Sequence, residues 1–312
     1  MKPRALFFGT PEFVVPSLDA LADVADVVGC VCQPDRPSGR GMVLAPPPVK
    51  VRAIERSIPV VQPTKLRTGE FGAWVREQQV DVALVVAYGR ILPRDVLDAP
   101  RLGCVNVHAS LLPKYRGAAP ITWAVVNGES ETGITLMLLD EGMDTGNILD
   151  KFVTNVDDTE TAGALSLRLA AMGAAAAKDG IPRHIAGGYV PVAQDNAHAS
   201  LAPMLKKEDG RIDWSKSARA VHNHVRGMNP WPGAFTRAHG KGVKIHQTSV
   251  VLGIRSQARP GEVLFADKSR LVVATGEGAV GVLSIQLEGK RPFSGIDWVM
   301  GRGIAIGDVL GD

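Results

Sequence analysis

Val82-Ala83-Leu84-Val85-Val86-Ala87 is an uninterrupted apolar run, and Cys104-Val105-Asn106-Val107-His108 is a second short run with two polar residues two positions apart. Between them, Pro93–Leu97 predicts a short helix. Strands that read as continuous apolar stretches, separated by helical segments, are strands of a parallel sheet covered on both faces. The same alternation extends outward. Upstream, the sequence predicts strands at Ala5–Gly9, Val27–Cys32 and Val60-Val61, with helices at Val14–Ala22, Val49–Arg56 and Phe71–Gln78. Pro16 fits only near the start of its helix. Residues 34–48 read as a long loop rich in Pro and Gly. Downstream, helices are expected at Ala118–Asn127 and Ala162–Ala177, with a strand at Ile134–Leu139.

The pattern then breaks. Gly187-Gly188, Pro191 and the small polar run Gln194–Ala202 read as a linker. Beyond it, one helix (Ser217–Arg226) precedes short β-rich pieces at Val243–Leu252, Gly261–Phe265, Leu271–Thr275 and Val280–Leu287, a spacing that favours a small β-barrel. The expected fold is therefore α/β: a Rossmann-like, doubly wound, mostly parallel sheet over 1–189, a linker over 190–205, and a small OB-like barrel over 206–312. A chain of 312 residues fits two cores. No apolar run reaches the roughly 18 residues that span a bilayer, so no membrane association is expected. The start Met1-Lys2-Pro3-Arg4 lacks the pattern of a secretory signal. Three cysteines suit reduced thiols in a cytoplasmic protein. Lys and Arg number 19 against 22 acidic residues in 1–204, but 16 against 10 in 205–312. That basic surplus suits a polyanionic partner or simply a solvated basic surface.

The turn Gly9-Thr10-Pro11-Glu12-Phe13 lacks the glycine fingerprint that lets backbone approach a pyrophosphate, and Pro11 removes an amide, so a dinucleotide is disfavoured. Metal is not expected either. Cys30 and Cys32 have no second pair at ligand spacing, and His222 and His224 point to different helix faces. Cys104 reads as core. Asn106 and His108, two apart on one strand, project from the same face at the carboxyl end, where open α/β sheets bind ligands. An amide and an imidazole offer an oxyanion donor and a proton-handling group. Taken alone, the pair fits a structural asparagine beside a satisfied core histidine at least as well.

The surrounding residues extend that pair into a recognisable constellation. Ser110-Leu111-Leu112-Pro113-Lys114-Tyr115-Arg116-Gly117-Ala118-Ala119-Pro120 resembles the folate-binding loop of the 10-formyltetrahydrofolate-dependent formyltransferases. Asp140-Glu141-Gly142-Met143-Asp144-Thr145-Gly146 resembles the second signature of that family. The resemblance implies that Asn106 hydrogen-bonds the formyl oxygen, and that His108 stabilises the tetrahedral intermediate and manages a proton. It implies further that Asp144 orients His108 or accepts the amine's proton through water. Ser110, Leu111, Leu112 and Pro113 would line the folate site. The co-substrate implied is 10-formyltetrahydrofolate, with no metal.

Further motifs bear on the acceptor. Gly9–Phe13, Gln33-Pro34-Asp35-Arg36-Pro37-Ser38-Gly39-Arg40-Gly41 and Asn229-Pro230-Trp231-Pro232-Gly233 resemble the branch of the family that formylates the methionine of initiator Met-tRNA. Arg36, Arg40, Lys206 and Lys207 would then contact tRNA, with Arg211, Arg219 and Arg226 as further backbone-tracking cations. Met42 and Val43 stand where many family members carry lysines. A monomer is expected. The alternatives are a sister enzyme acting on a nucleotide-sugar amine, a hydrolase of the same folate, a non-catalytic RNA-binding module and a nicotinamide-dependent oxidoreductase.

Overall fold

The computed structural model describes residues 2–38, 43–254 and 258–311. The chain divides into two compact units: Met1–Pro120, Glu131–Asn155 and Ser166–Pro203 form one, and Ile121–Ser130, Val156–Leu165 and Met204–Asp312 the other.

The first unit is built on β1 (Arg4–Gly9), α1 (Val15–Val24), β2 (Asp26–Val31), β3 (Arg36–Ser38), β4 (Val43–Ala45), α2 (Pro48–Glu55), β5 (Val60–Val61), α3 (Glu70–Glu77), β6 (Val82–Val86), α4 (Arg94–Leu97), β7 (Cys104–His108) and β8 (Arg116–Gly117). After α5 (Pro120–Val126) follow β9 (Glu131–Leu138), β10 (Ile148–Asn155), α6 (Ala162–Ile185) and β11 (Leu201–Ala202). Seven strands form one sheet in the order β10-β9-β7-β6-β1-β2-β5. The run from β7 to β5 is parallel, while β9 and β10 are antiparallel additions at one edge. The order of strands reverses on either side of β1. Strands β6 and β7 are buried throughout, as their apolar runs require. On one face, Phe8 meets Phe71 of α3 edge-on at 6.3 Å and Tyr88 at 5.5 Å. On the other, Gly173 of α6 leaves no free space beside Val107. Helices on both faces meet the doubly wound expectation.

One local expectation changes, and one strand is added. Within the stretch expected as a loop, β3 and β4 pair antiparallel, Arg36 opposite Ala45 and Pro37 opposite Leu44. Asp35 anchors the hairpin base through Lys50 at 2.8 Å and Gln62 at 2.7 Å. Strand β10, with no counterpart in the sequence reading, is a half-exposed edge strand whose polar alternation hides it. The stretch expected as a linker lies in the first unit as far as Pro203. There β11 pairs with β8 in parallel.

The second unit contains α7 (Ala218–Gly227), β12 (Phe235–Ala238), β13 (Lys241–Val251), β14 (Val263–Ala266), β15 (Leu271–Ala274), β16 (Ala279–Leu287), β17 (Phe293–Ser294) and α8 (Gly295–Met300). Its antiparallel sheet runs β12-β13-β16-β15-β14, with β17 beside β16. The expected barrel is a half-barrel with β12 and β14 as edges. Irregularities at Ile245–Thr248 bend the long strand β13. Val221 and Val225 of α7 join Trp214, Ile245, Val280 and Trp298 in the core. Arg226 ties residues 156–165 into this unit by donating to the carbonyls of Asp157 at 3.0 Å and Glu160 at 3.2 Å. A segment from the middle of the chain thus folds with the carboxyl-terminal part.

Candidate active site

β7 delivers Asn106 and His108 to the carboxyl end of the parallel strands. Both are buried, at 7% and 6% exposure. The Nε2 of His108 lies 3.0 Å from the Tyr115 carbonyl oxygen. A carbonyl only accepts, so in the neutral ring Nε2 carries the proton and Nδ1 presents its lone pair. Nδ1 faces the Asp144 carboxylate, with 3.6 Å to Oδ2. A protonated Nδ1 would form an ion pair there. Asp144 Oδ2 also accepts from the Gly117 amide at 2.8 Å. Among the described residues, no side chain or backbone group engages the Asn106 carboxamide, so its N–H donors are available to a ligand on the face it shares with His108.

Asp144 owes its place to a tight loop. Asp140 Oδ1 accepts from the Gly142 amide at 3.0 Å and the Thr145 hydroxyl at 2.7 Å. Asp144 itself is left-handed, with φ +54. Gly146 is obligatory, because a Cβ there would collide with the Leu138 carbonyl. The Asp-Thr-Gly triplet is therefore a turn, and the turn is what aims the carboxylate.

The loop 110–113 is held down by the sheet. Thr135 of β9, opposite His108, donates to the Ser110 carbonyl at 2.6 Å and accepts from the Leu112 amide at 3.1 Å. The Ser110 hydroxyl donates to the Lys114 carbonyl at 2.6 Å, and Leu112 is fully buried. Leu111 and Pro113 are the partly accessible members.

Of the candidate RNA contacts, Arg36, Lys206 and Lys207 are exposed, and Arg40 lies outside the described residues. Arg226 is corrected: it is buried, with Nε donating to Asn223 at 2.9 Å, and cannot track a phosphate backbone. Arg219 is ion-paired with Asp158 at 3.1 Å. Burial pushes the Cys104 thiol up to about 12, in keeping with a core residue. Among the described residues, no group of three His, Cys, Asp or Glu could hold a metal ion.

Sequence reasoning missed Thr135, Ser200 and Gln194. The last donates to the carbonyls of Asp144 and Gly146. A lone threonine in a strand and polar residues in a Pro- and Gly-punctuated stretch carry no signal of their own. Arg116, within a quoted motif, was not singled out; it is buried and donates to Gln194 and Asn196.

The family model described as formyl transferase matches residues 3–180, and that described as formyl transferase, C-terminal domain, matches residues 204–303. The chain belongs to the formyl transferase family. Within it, the chain is 54% identical over 309 residues to the methionyl-tRNA formyltransferase of Sorangium cellulosum (strain So ce56), covering 99% of both chains. It is 47% identical to that of Geotalea uraniireducens (strain Rf4), covering 99% of this chain and 98% of the relative. Among solved structures, the N-formyltransferase from Helicobacter canadensis, in complex with folinic acid and dTDP-3-aminofucose, is similar in fold, with a TM-score of 0.69 at 19% identity over 90% of this chain and 99% of that one.

Proposed function

We propose that this chain transfers the formyl group of 10-formyltetrahydrofolate to the methionine amino group of initiator Met-tRNA. The observation that carries the chemistry is His108, bracketed by the Tyr115 carbonyl and the Asp144 carboxylate, with an unengaged Asn106 amide on the same strand face. The acceptor rests on the full-length similarity to methionyl-tRNA formyltransferases.

In this scheme the neutral amine attacks the formyl carbon. Asn106 donates to the formyl oxygen as negative charge collects there, a donor aimed at the transition state. His108 keeps its Nε2–H on the Tyr115 carbonyl and its Nδ1 toward Asp144. When charged it stabilises the same oxygen, and Asp144 offsets its charge. The Asp144 oxygen not engaged by Gly117 takes the amine's proton through a water. A C–N bond to the methionine forms, the C–N bond to N10 of the folate breaks, and the proton passes to N10. Leu111 and Pro113 supply apolar contact to the folate. Arg36, Arg40, Lys206 and Lys207 contact tRNA phosphates.

The test is a transfer assay with 10-formyltetrahydrofolate and, separately, Met-tRNA, free methionine and an amino-sugar nucleotide. Formyl-Met-tRNA is the expected product. Equal transfer to free methionine, or transfer to the sugar amine alone, would overturn the acceptor.

A further inference from the structure

Residues 192–202 touch both partners of His108. Val192 exchanges backbone hydrogen bonds with Ile148 at 2.9 and 2.8 Å, just after the Asp144 loop. Two residues on, Gln194 Nε2 donates to the carbonyls of Asp144 and Gly146, each at 2.8 Å. Its Oε1 accepts from Arg116 Nε at 3.1 Å and Nη2 at 2.7 Å. Further along, the Ser200 hydroxyl accepts from the Tyr115 amide at 2.9 Å, and the Ser200 carbonyl from the Arg116 amide at 2.8 Å.

Tyr115 and Asp144 are both left-handed, at φ +63 and +54. Side-chain-bearing residues hold that conformation only where their surroundings impose it. These are the residues whose oxygens bracket the two nitrogens of His108. The orientation of the Gln194 amide is not arbitrary. Arg116 can only donate, so it claims the amide oxygen and turns the NH2 toward the Asp144 loop. Arg116 is buried and, among the described residues, meets the amide oxygens of Gln194 and Asn196 but no carboxylate. It therefore needs Gln194 as much as Gln194 needs it.

We infer that residues 192–202 are a positioning strap: Gln194 sets the Asp144 carboxylate, and Ser200 the Tyr115 carbonyl, against His108. The chemistry of this inference rests on the formyl-transfer reading; its geometry does not. Gln194→Glu separates the two duties of the side chain, because a carboxylate still accepts from Arg116 but has no N–H for the two carbonyls. The expected result is a kcat lowered on the order of 10- to 100-fold, with KM for both substrates and the melting temperature close to wild type. Amide exchange at Gly117 should accelerate, since that N–H bonds Asp144 Oδ2. Ser200→Ala should lower kcat, and Ser200→Thr, which keeps the hydroxyl, should restore it. Wild-type kcat and unchanged Gly117 exchange in Gln194→Glu would overturn the strap. So would a loss of kcat that merely follows a fall in melting temperature. If the wild-type protein forms no formyl product, the function is at fault, and Gly117 exchange alone decides the strap.

Discussion

At the residue scale, the usefulness of Asn106 depends on what it does not touch. Its neighbour His108 has both ring nitrogens placed, one against Tyr115 and the other facing Asp144, whereas the Asn106 amide keeps its donors unengaged, as the proposed role at the formyl oxygen requires. Asn106→Ala should therefore lower kcat by roughly 100- to 1,000-fold, about 3 kcal/mol of transition-state stabilisation, while folate binding changes little. Steady-state kinetics beside a folate titration would check it, and an unaltered kcat would remove Asn106 from the chemistry. The Asn-x-His spacing was legible because a strand repeats every two residues. The third member, 36 positions after His108, was not legible from spacing at all. Only its likeness to a known motif marked it, since an Asp-Thr-Gly triplet is ordinarily a turn.

Helix α7 shows how an element can be foreseen while its use is not. A helix was expected over Ser217–Arg226, and in the structure the Ser217 hydroxyl caps it, accepting from the Ala220 amide at 3.2 Å. His222, Asn223 and Arg226, however, are buried. His222 faces Thr248 at 3.0 Å and the Asp158 carbonyl at 2.9 Å. His224 Nε2 is buried and, among the described residues, unpartnered. Burial, the largest cause for each, holds both imidazoles below their ordinary range. The unfolded chain takes up those protons near pH 6.5, so below that point it binds more protons than the folded unit. The stabilisation is thus complete above about pH 6.5 and is lost as pH falls toward the depressed folded values. Asp157, Asp213 and Asp267 are shifted down by hydrogen bonds from Thr159, Ser215 and Ser269, and they lose their contribution only in stronger acid. Melting of the second unit should accordingly occur at lower temperature at pH 5.5 than at pH 7.5. Replacing His222 and His224 together by Gln should flatten that slope; a wild-type melting temperature indifferent to pH would refute the account. Short elements escaped the sequence for a different reason. The pairs β3–β4 and β8–β11 are two or three residues long and carry no periodicity.

For the whole molecule, the basic surplus in residues 205–312 bears on the proposed acceptor. If exposed lysines neutralise tRNA phosphates, affinity should fall steeply with salt as counterions are released. Lys206→Ala and Lys207→Ala should each weaken binding across tRNA sequences and reduce the log–log salt slope by about 1. Filter binding between low and physiological salt would test this, and a flat salt response would exclude phosphate contacts as the basis of recognition. The layered α/β architecture, the β-rich tail and the strand that carries Asn106 and His108 follow from the chain alone, because burial imposes a period on which side chains are apolar. Three things came only with the tertiary structure: the grouping of 121–130 and 156–165 with the carboxyl-terminal unit, the interior role of Arg226, and the attachment of Gln194 and Ser200 to the site. The first depends in part on Val126 packing against the distant core of the second unit, and the others on hydrogen bonds between residues tens of positions apart. Such bonds need one donor and one acceptor brought together by folding, and they leave no period in the sequence.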